Sequence, residues 1–358
     1  MKNLKKEFPV TSQYVHLNTA GSGLLSETVL DFRQSHDLDY LILGSLMKDK
    51  QDVFITKVRE AIGDFFDCAP TQTALVPNFS FGFNTLLEGL ADTSKILLLE
   101  NDYPSINWVV TSRDFEVCYA KIDENLEDNI LQAVENEKPD ALAISLVQYI
   151  NGIQIDFDFL KKLKLKYPDL LIIADGTQYC GVEPFSFRES GIDILGASCY
   201  KWMNAGYGNG FFLFKEVVEE RVFPKTIGFN SVRGKHKQAM NTLIGKFEPG
   251  HQDTLAFGSV MAAIELIKKI GISEIEGQIK LLQKKAFNAF AERGLLETMV
   301  LNRKKHSPIF NIKGDDNLFS KLRDNDIICS KRGEGLRVSF HYFNTEGDLN
   351  DLLRVIKN

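Results

Sequence analysis

The sequence predicts an α/β protein, with a three-layer large domain built on a mainly parallel sheet and a smaller α+β C-terminal domain. Three observations carry this reading. Short apolar and β-branched runs alternate with amphipathic stretches through the middle of the chain. Those runs are apolar throughout instead of alternating with polar residues, as strands covered by helices on both faces require. From about Leu255 the texture changes to long amphipathic segments, then short strands and a closing helix.

The strand candidates appear in order as KILLLE near 95–100, ALAISLV at 141–147, LLIIAD at 170–175, DILGAS at 193–198 and GFFLFK at 210–215. Between the second and third, Phe157–Lys166 reads as a helix. Phe157, Leu160, Leu163 and Leu165 recur at helical or near-helical spacing, and Lys161, Lys162, Lys164 and Lys166 supply its wet face. Beyond Leu255, FGSVMAAIELIKKIGI and IEGQIKLLQKKAFNAFAERGLL read as two long helices, and DLNDLLRVIK as the last. At 358 residues the chain is long for one compact domain. The division expected is 21–258 for the large domain, with 1–20 and 259–358 forming the small one. No repeat or flexible linker separates the two parts, so they are expected to pack tightly.

A net charge of −6 offers no basic field to a nucleic-acid backbone, so no such partner is expected. No apolar run approaches the length of a membrane span, and MKNLKKEFPVTSQYVHLN lacks the stretch a signal peptide needs. The five cysteines (Cys68, Cys118, Cys180, Cys199, Cys329) are odd in number and scattered, with no CxxC or metal-ligand spacing. A reduced, cytoplasmic setting and no metal are expected.

Two segments carry chemistry. In LLIIADGTQYCGV an apolar strand ends in Asp175, followed by Gly176, Thr177 and Gln178, and ligands of open α/β sheets gather beyond such strand ends. In DILGASCYKWMNAGYGNGFFLF, Ser198, Tyr200 and Lys201 sit between a strand and a glycine-rich turn. Apolar flanks desolvate Lys201, which lowers its pKa and favours the neutral amine that condenses with an aldehyde. Singly, an Asp after a strand is most often a helix cap and a Lys a solvated charge. Together, an Asp at one strand end, a Gln three residues later and Ser-x-x-Lys-Trp after the next strand match the needs of pyridoxal phosphate. The Asp keeps the ring nitrogen protonated and the Lys holds the aldehyde as a Schiff base.

These residues resemble the class V (fold type I) aminotransferase family, a group that also holds cysteine desulfurases, kynureninases, isopenicillin N epimerase-like proteins and cysteine lyases. The resemblance runs from YVHLNTAGSGLL at 14–25 through PNFSFGFNTLL, NDYPS, ADGTQYCG, SCYKWMNAGYGNGFF and FEPGHQDT to LRVSFHYFNTEGDL. It implies a pyridoxal-phosphate-transferase-like fold, with Lys201 as the Schiff-base lysine, Asp175 on the pyridine nitrogen and Gln178 on the ring's phenolic oxygen. Ser198 and Tyr200 are implied to hold the phosphate, with Phe79 and Ser80 on the phosphate loop; Phe79, where relatives carry Thr or Ser, acts through its backbone alone. Tyr103 falls where many relatives place a ring-stacking His. Tyr149, or its neighbour Gln148, falls where an Asn contacts the cofactor. Arg337 matches the arginine that grips the substrate α-carboxylate. Ala20 and Gly21, with Asn18 and Thr19, are implied to line the substrate side. His251 stands for a Thr donated from the partner subunit, which implies a homodimer sharing its active sites. Asn204, Asn230 and Arg233 are candidates for supporting or partner-facing groups.

The reaction expected first is transamination of an α-amino acid. The alternatives are cysteine or cystine C–S lyase, kynureninase-like hydrolase, epimerase, or a cofactor-binding protein without turnover. A persulfide route is disfavoured, since Cys329 in IICSKRGEGLR ends an apolar run and the connection to Arg337 is too short for a mobile loop. A dinucleotide enzyme is disfavoured too, because GYGNG at 206–210 precedes a strand where that fingerprint opens a helix.

Overall fold

The computed structural model of the chain describes residues 4–231 and 242–357. The first half contains β1 (Val15–His16), α1 (Glu27–Leu43), α2 (Gln51–Phe66), β2 (Thr73–Val76), α3 (Phe79–Leu87), β3 (Lys95–Leu99), α4 (Pro104–Thr111), β4 (Glu116–Ala120), α5 (Leu126–Glu137), β5 (Ala141–Ser145), α6 (Phe157–Lys166) and β6 (Leu171–Asp175). The remainder contains β7 (Ile194–Ser198), β8 (Gly210–Phe214), α7 (Leu243–Phe247), α8 (Thr254–Ile270), α9 (Ile272–Glu292), α10 (Thr298–Leu301), β9 (Ile309–Lys313), α11 (Asp316–Asp324), β10 (Ile327–Ile328), β11 (Ser330–Arg332), β12 (Gly335–Ser339) and α12 (Glu346–Lys357). Among these, no helix is long and apolar enough to cross a membrane.

Seven strands form one sheet in the order β2-β8-β7-β6-β5-β3-β4. β4, β3, β5, β6 and β7 pair in parallel, whereas β8 is antiparallel to both β7 and β2. The exception has a simple cause: the turn at 199–209 is too short for the crossover a parallel return needs. The apolar runs are explained by the two cores. Leu97, Leu142, Ile172, Ala174, Leu195 and Phe211 enter one. Their neighbours Ile96, Ala141, Leu171, Ile173, Ile194 and Phe212 enter the other, so consecutive side chains are buried on opposite faces.

Close packing sets the start of α3 against the sheet. A Cβ on Gly82 would lie 2.3 Å from the Phe212 ring and one on Gly196 2.5 Å from it, so only glycines let helix and strand approach across that ring. Asn78 caps the helix, its Oδ1 accepting from Phe81 N at 2.9 Å. α6 falls where expected, with Leu160 and Leu163 buried; Leu165 is 82% exposed instead, because two residues past Leu163 lies on the far side of a 3.6-residue turn.

The C-terminal strands β11-β12-β9 form a separate antiparallel sheet. β1 pairs in parallel with β10, which ties the segment after His16 to this end of the chain.

Candidate active site

The site forms where β3, β5, β6 and β7 end. Asp175 is the last residue of β6 and Ser198 the last of β7, and the register sets Ser145 beside Asp175. A chain of hydrogen bonds joins these ends. Asp175 Oδ1 accepts from Thr177 N at 2.8 Å, Thr177 Oγ1 from Ser198 N at 3.0 Å, and Ser198 Oγ from Phe79 N at 2.9 Å. The Asp175 carboxyl is buried, and that burial pushes its pKa up to about 6 against the Thr177 bonds and the Lys201 charge.

Lys201 is 6% exposed, and burial lowers its amine to about 8; Asp175 opposes this, while Arg337 and Arg332 add to it. Its Nζ lies 5.5 Å from the ring centres of both Tyr103 and Tyr200. Two anchors hold the turn that carries it. Gly23 N donates to the Tyr200 carbonyl at 2.9 Å, and a Cβ on Gly23 would stand 2.1 Å from the Lys201 carbonyl oxygen. Asn204, at φ 54°, accepts from Leu24 N at 2.9 Å, so it supports this turn from within the chain.

Phe79, Ser80, Tyr103, Asp175, Ser198, Tyr200 and Lys201 come together around one cavity of about 450 Å³. In the first turn of α3, the Phe79 N–H is used by Ser198 and the Phe81 N–H by Asn78, which leaves that of Ser80 for an anion. The Phe79 N–H thus holds the Ser198 hydroxyl at the mouth of the helix N-terminus. Gln178 and Tyr149 line an adjoining recess with Lys201. The Gln178 Nε2 donates to Ala20 O at 2.9 Å and its Oε1 accepts from Trp202 Nε1 at 2.8 Å, leaving one amide hydrogen for a ligand. Of the pair Gln148 and Tyr149, Gln148 caps its own loop, its Oε1 accepting from Ile150 N and Asn151 N. Tyr149 packs edge-on to Tyr103, with ring centres 5.2 Å apart.

On the substrate side, Ala20 N donates to Ser339 Oγ at 3.0 Å, and Gly21 closes a turn on the Asn18 carbonyl. Arg337 is buried and donates from Nη1 to the Tyr149 carbonyl at 2.7 Å, while its Nε is buried without a partner. Burial lowers the guanidinium to about 10. His251 is not brought to this cavity: it is exposed, its ring 5.8 Å from that of Phe229. Asn230 donates to the Gly250 carbonyl, also away from the cavity, and Arg233 lies outside the described residues. Cys329 is 3% exposed, and burial raises its thiol to about 11.

Sequence reasoning missed Asp102 and Thr177. Asp102 is 4% exposed and its carboxylate accepts from Tyr103 N at 2.7 Å and Ser145 N at 2.8 Å, which clamps the end of β3 to that of β5. An Asp two residues after the KILLLE run was the available signal.

The fold and the site together define a class of enzyme with a buried lysine–aspartate pair at the strand ends of an α/β sheet. The family model for class-V aminotransferases matches residues 44–352, and the chain belongs to that family. It is 21% identical over 351 residues to the uncharacterized aminotransferase YcbU of Bacillus subtilis (strain 168), covering 96% of this chain and 93% of that one. It is 25% identical to the cysteine desulfurase SufS of Plasmodium falciparum (isolate 3D7), over 60% of this chain and 44% of that one. Among solved structures, the cystine C–S lyase C-DES in complex with cysteine persulfide superposes with a TM-score of 0.88 at 17% identity, covering 97% of this chain and 98% of that one. The cysteine desulfurase of Thermococcus onnurineus NA1 superposes at 0.85 and 17%, covering 99% and 97%.

The cofactor of this family is pyridoxal 5′-phosphate, and the residues present fit it. The buried Asp175 carboxyl lines the cavity, where a protonated ring nitrogen would set a further cation beside it, and a helix N-terminus with an open N–H suits a phosphate. Tyr103 offers a flat face beside the amine of Lys201.

Proposed function

We propose that the chain is a pyridoxal-phosphate enzyme acting on an α-amino acid, with amino-group transfer as its reaction. One observation carries this reading: the Lys201 amine is buried beside Asp175 in a cavity of about 450 Å³, with its pKa lowered to about 8. When bound, the cofactor supplies an electron sink for the substrate α-carbon. Lys201 would hold the cofactor, and its amine, near 8, is suited to carry a proton at the substrate α-carbon close to neutral pH. Asp175 would hold a proton on the cofactor's ring nitrogen. Arg337 grips the α-carboxylate with the fork that its single bond to Tyr149 leaves open.

A second reading, C–S lyase, is supported by the likeness to the cystine C–S lyase over 97% of the chain. It needs no thiol from the protein, unlike persulfide desulfuration, for which buried Cys329 is poorly suited.

The proposal includes a homodimer that brings the second copy's His251 to the phosphate. Exposed Leu41 (81%), Ile42 (70%) and Leu46 (61%) on and just after α1 support an apolar contact there. Five free thiols suit a reducing compartment such as the cytoplasm.

The test is the cofactor's visible absorption during addition of single L-amino acids without keto acid. Collapse to the amine form that recovers only with keto acid identifies a transaminase. Recovery unaided, with keto acid and ammonia released, identifies a lyase. No change with any amino acid overturns both.

A further inference from the structure

The face of the C-terminal sheet that carries Arg337 carries a second arginine. In the β11–β12 ladder Ser330 stands opposite Arg337, and Arg332 opposite Gly335. Directly paired residues share a face and a strand's side chains repeat every two, so Ser330, Arg332 and Arg337 project to the same side. Lys331 between them projects to the other, where it pairs with Asp316 and lies 5.4 Å from the Phe319 ring centre.

Three features direct this face at the site. The turn after Arg332 presses on the Tyr149 loop, since a Cβ on Gly333 would come within 3.1 Å of Ile150 Cγ2. Asn311, opposite Arg337 on β9, donates to the Arg332 carbonyl at 2.7 Å and pins the strand. The positive charge of Arg332 is felt by Lys201, Tyr149 and Arg337 alike.

The face also has more polar capacity than the protein uses. The Arg332 guanidinium donates to the neighbouring Lys331 carbonyl, and among the described residues neither arginine has a carboxylate partner. Arg337 Nε and Ser330 Oγ are buried with no hydrogen bond. Arg332 is exposed, so its guanidinium stays open to a second anion beside the one on Arg337.

We propose that Arg332 is a specificity residue that binds the side-chain carboxylate of an acidic amino acid while Arg337 holds the α-carboxylate. This inference rests on the amino-acid reading above and names the substrate class for it.

The experiment titrates the cofactor-loaded protein and its Arg332→Gln variant with L-aspartate, L-glutamate and their amides, following the cofactor spectrum. The proposal expects the wild-type preference for acid over amide to fall about tenfold or more in the variant, with partial return in Arg332→Lys. Equal weakening of acids and amides assigns both arginines to the α-carboxylate and overturns it, as does an unchanged preference. Calorimetric titration of the same proteins with succinate and its monoamide reads the discrimination without turnover. If amino acids leave the spectrum unchanged but succinate binding depends on Arg332, the catalytic reading fails and this one stands. If succinate binds no better than the monoamide, this one fails.

Discussion

Burying an amine for chemistry has a cost in stability that can be measured. The fall of Lys201 from the usual 10.5 to about 8 corresponds to roughly 3 kcal/mol of destabilisation in the cofactor-free protein. The unfolded chain holds this proton up to about pH 10.5 and the native chain only to about 8. Between those values the unfolded state binds more protons, so stability rises with pH; below about 8 the full penalty is present. Lys201→Met removes the charge at similar volume. The attraction of Asp175 is already contained in that value, so the variant is expected to be about 3 kcal/mol more stable than wild type at pH 7. The advantage should shrink toward zero by pH 10. Urea unfolding of the cofactor-free proteins between pH 6 and 10, followed by fluorescence of the fully buried Trp202, measures the gap. A variant less stable than wild type at pH 7, or a gap that does not change with pH, refutes the argument that burial dominates at Lys201.

Three further outcomes follow from the same geometry. Asp175→Asn should reduce turnover about 100-fold or more and weaken cofactor retention, checked by rate assays at saturating pyridoxal phosphate and by absorbance after dialysis. Arg337→Lys should raise the half-saturating amino-acid concentration about tenfold or more, since an ammonium cannot present the two-pronged contact; steady-state titration measures it. Cys329→Ala should leave turnover intact and lower stability by about 1 kcal/mol, because the thiol packs in the core; loss of turnover would instead make it a nucleophile.

What the sequence revealed, and what it hid, divides along local against non-local information. KILLLE, LLIIAD and DILGAS are legible as strands because each is apolar on both faces, and the joint placement of Asp175 and Lys201 after consecutive strands is legible because it lies in one short stretch. Asp102 was not, since its partner Ser145 is brought near only by the neighbouring positions of β3 and β5 in the sheet. That the Phe79 N–H is already engaged depends on a bond to Ser198, which the sequence separates by more than a hundred residues. Gln148 and Tyr149 are adjacent in sequence and equally plausible as cofactor contacts; only the loop geometry shows that the Gln148 oxygen is consumed by two backbone N–H groups. Arg332 passed unnoticed because its relation to Arg337 comes from strand register, which a lone sequence does not state.

The central claim concerns one nitrogen atom. Borohydride reduction of the purified protein incubated with pyridoxal phosphate fixes the cofactor to whichever lysine holds it, and peptide mass spectrometry then locates the mass increase. The account predicts a single modified site at Lys201, absent from Lys201→Ala. Modification elsewhere, or none at Lys201 under conditions that saturate the cavity, contradicts it.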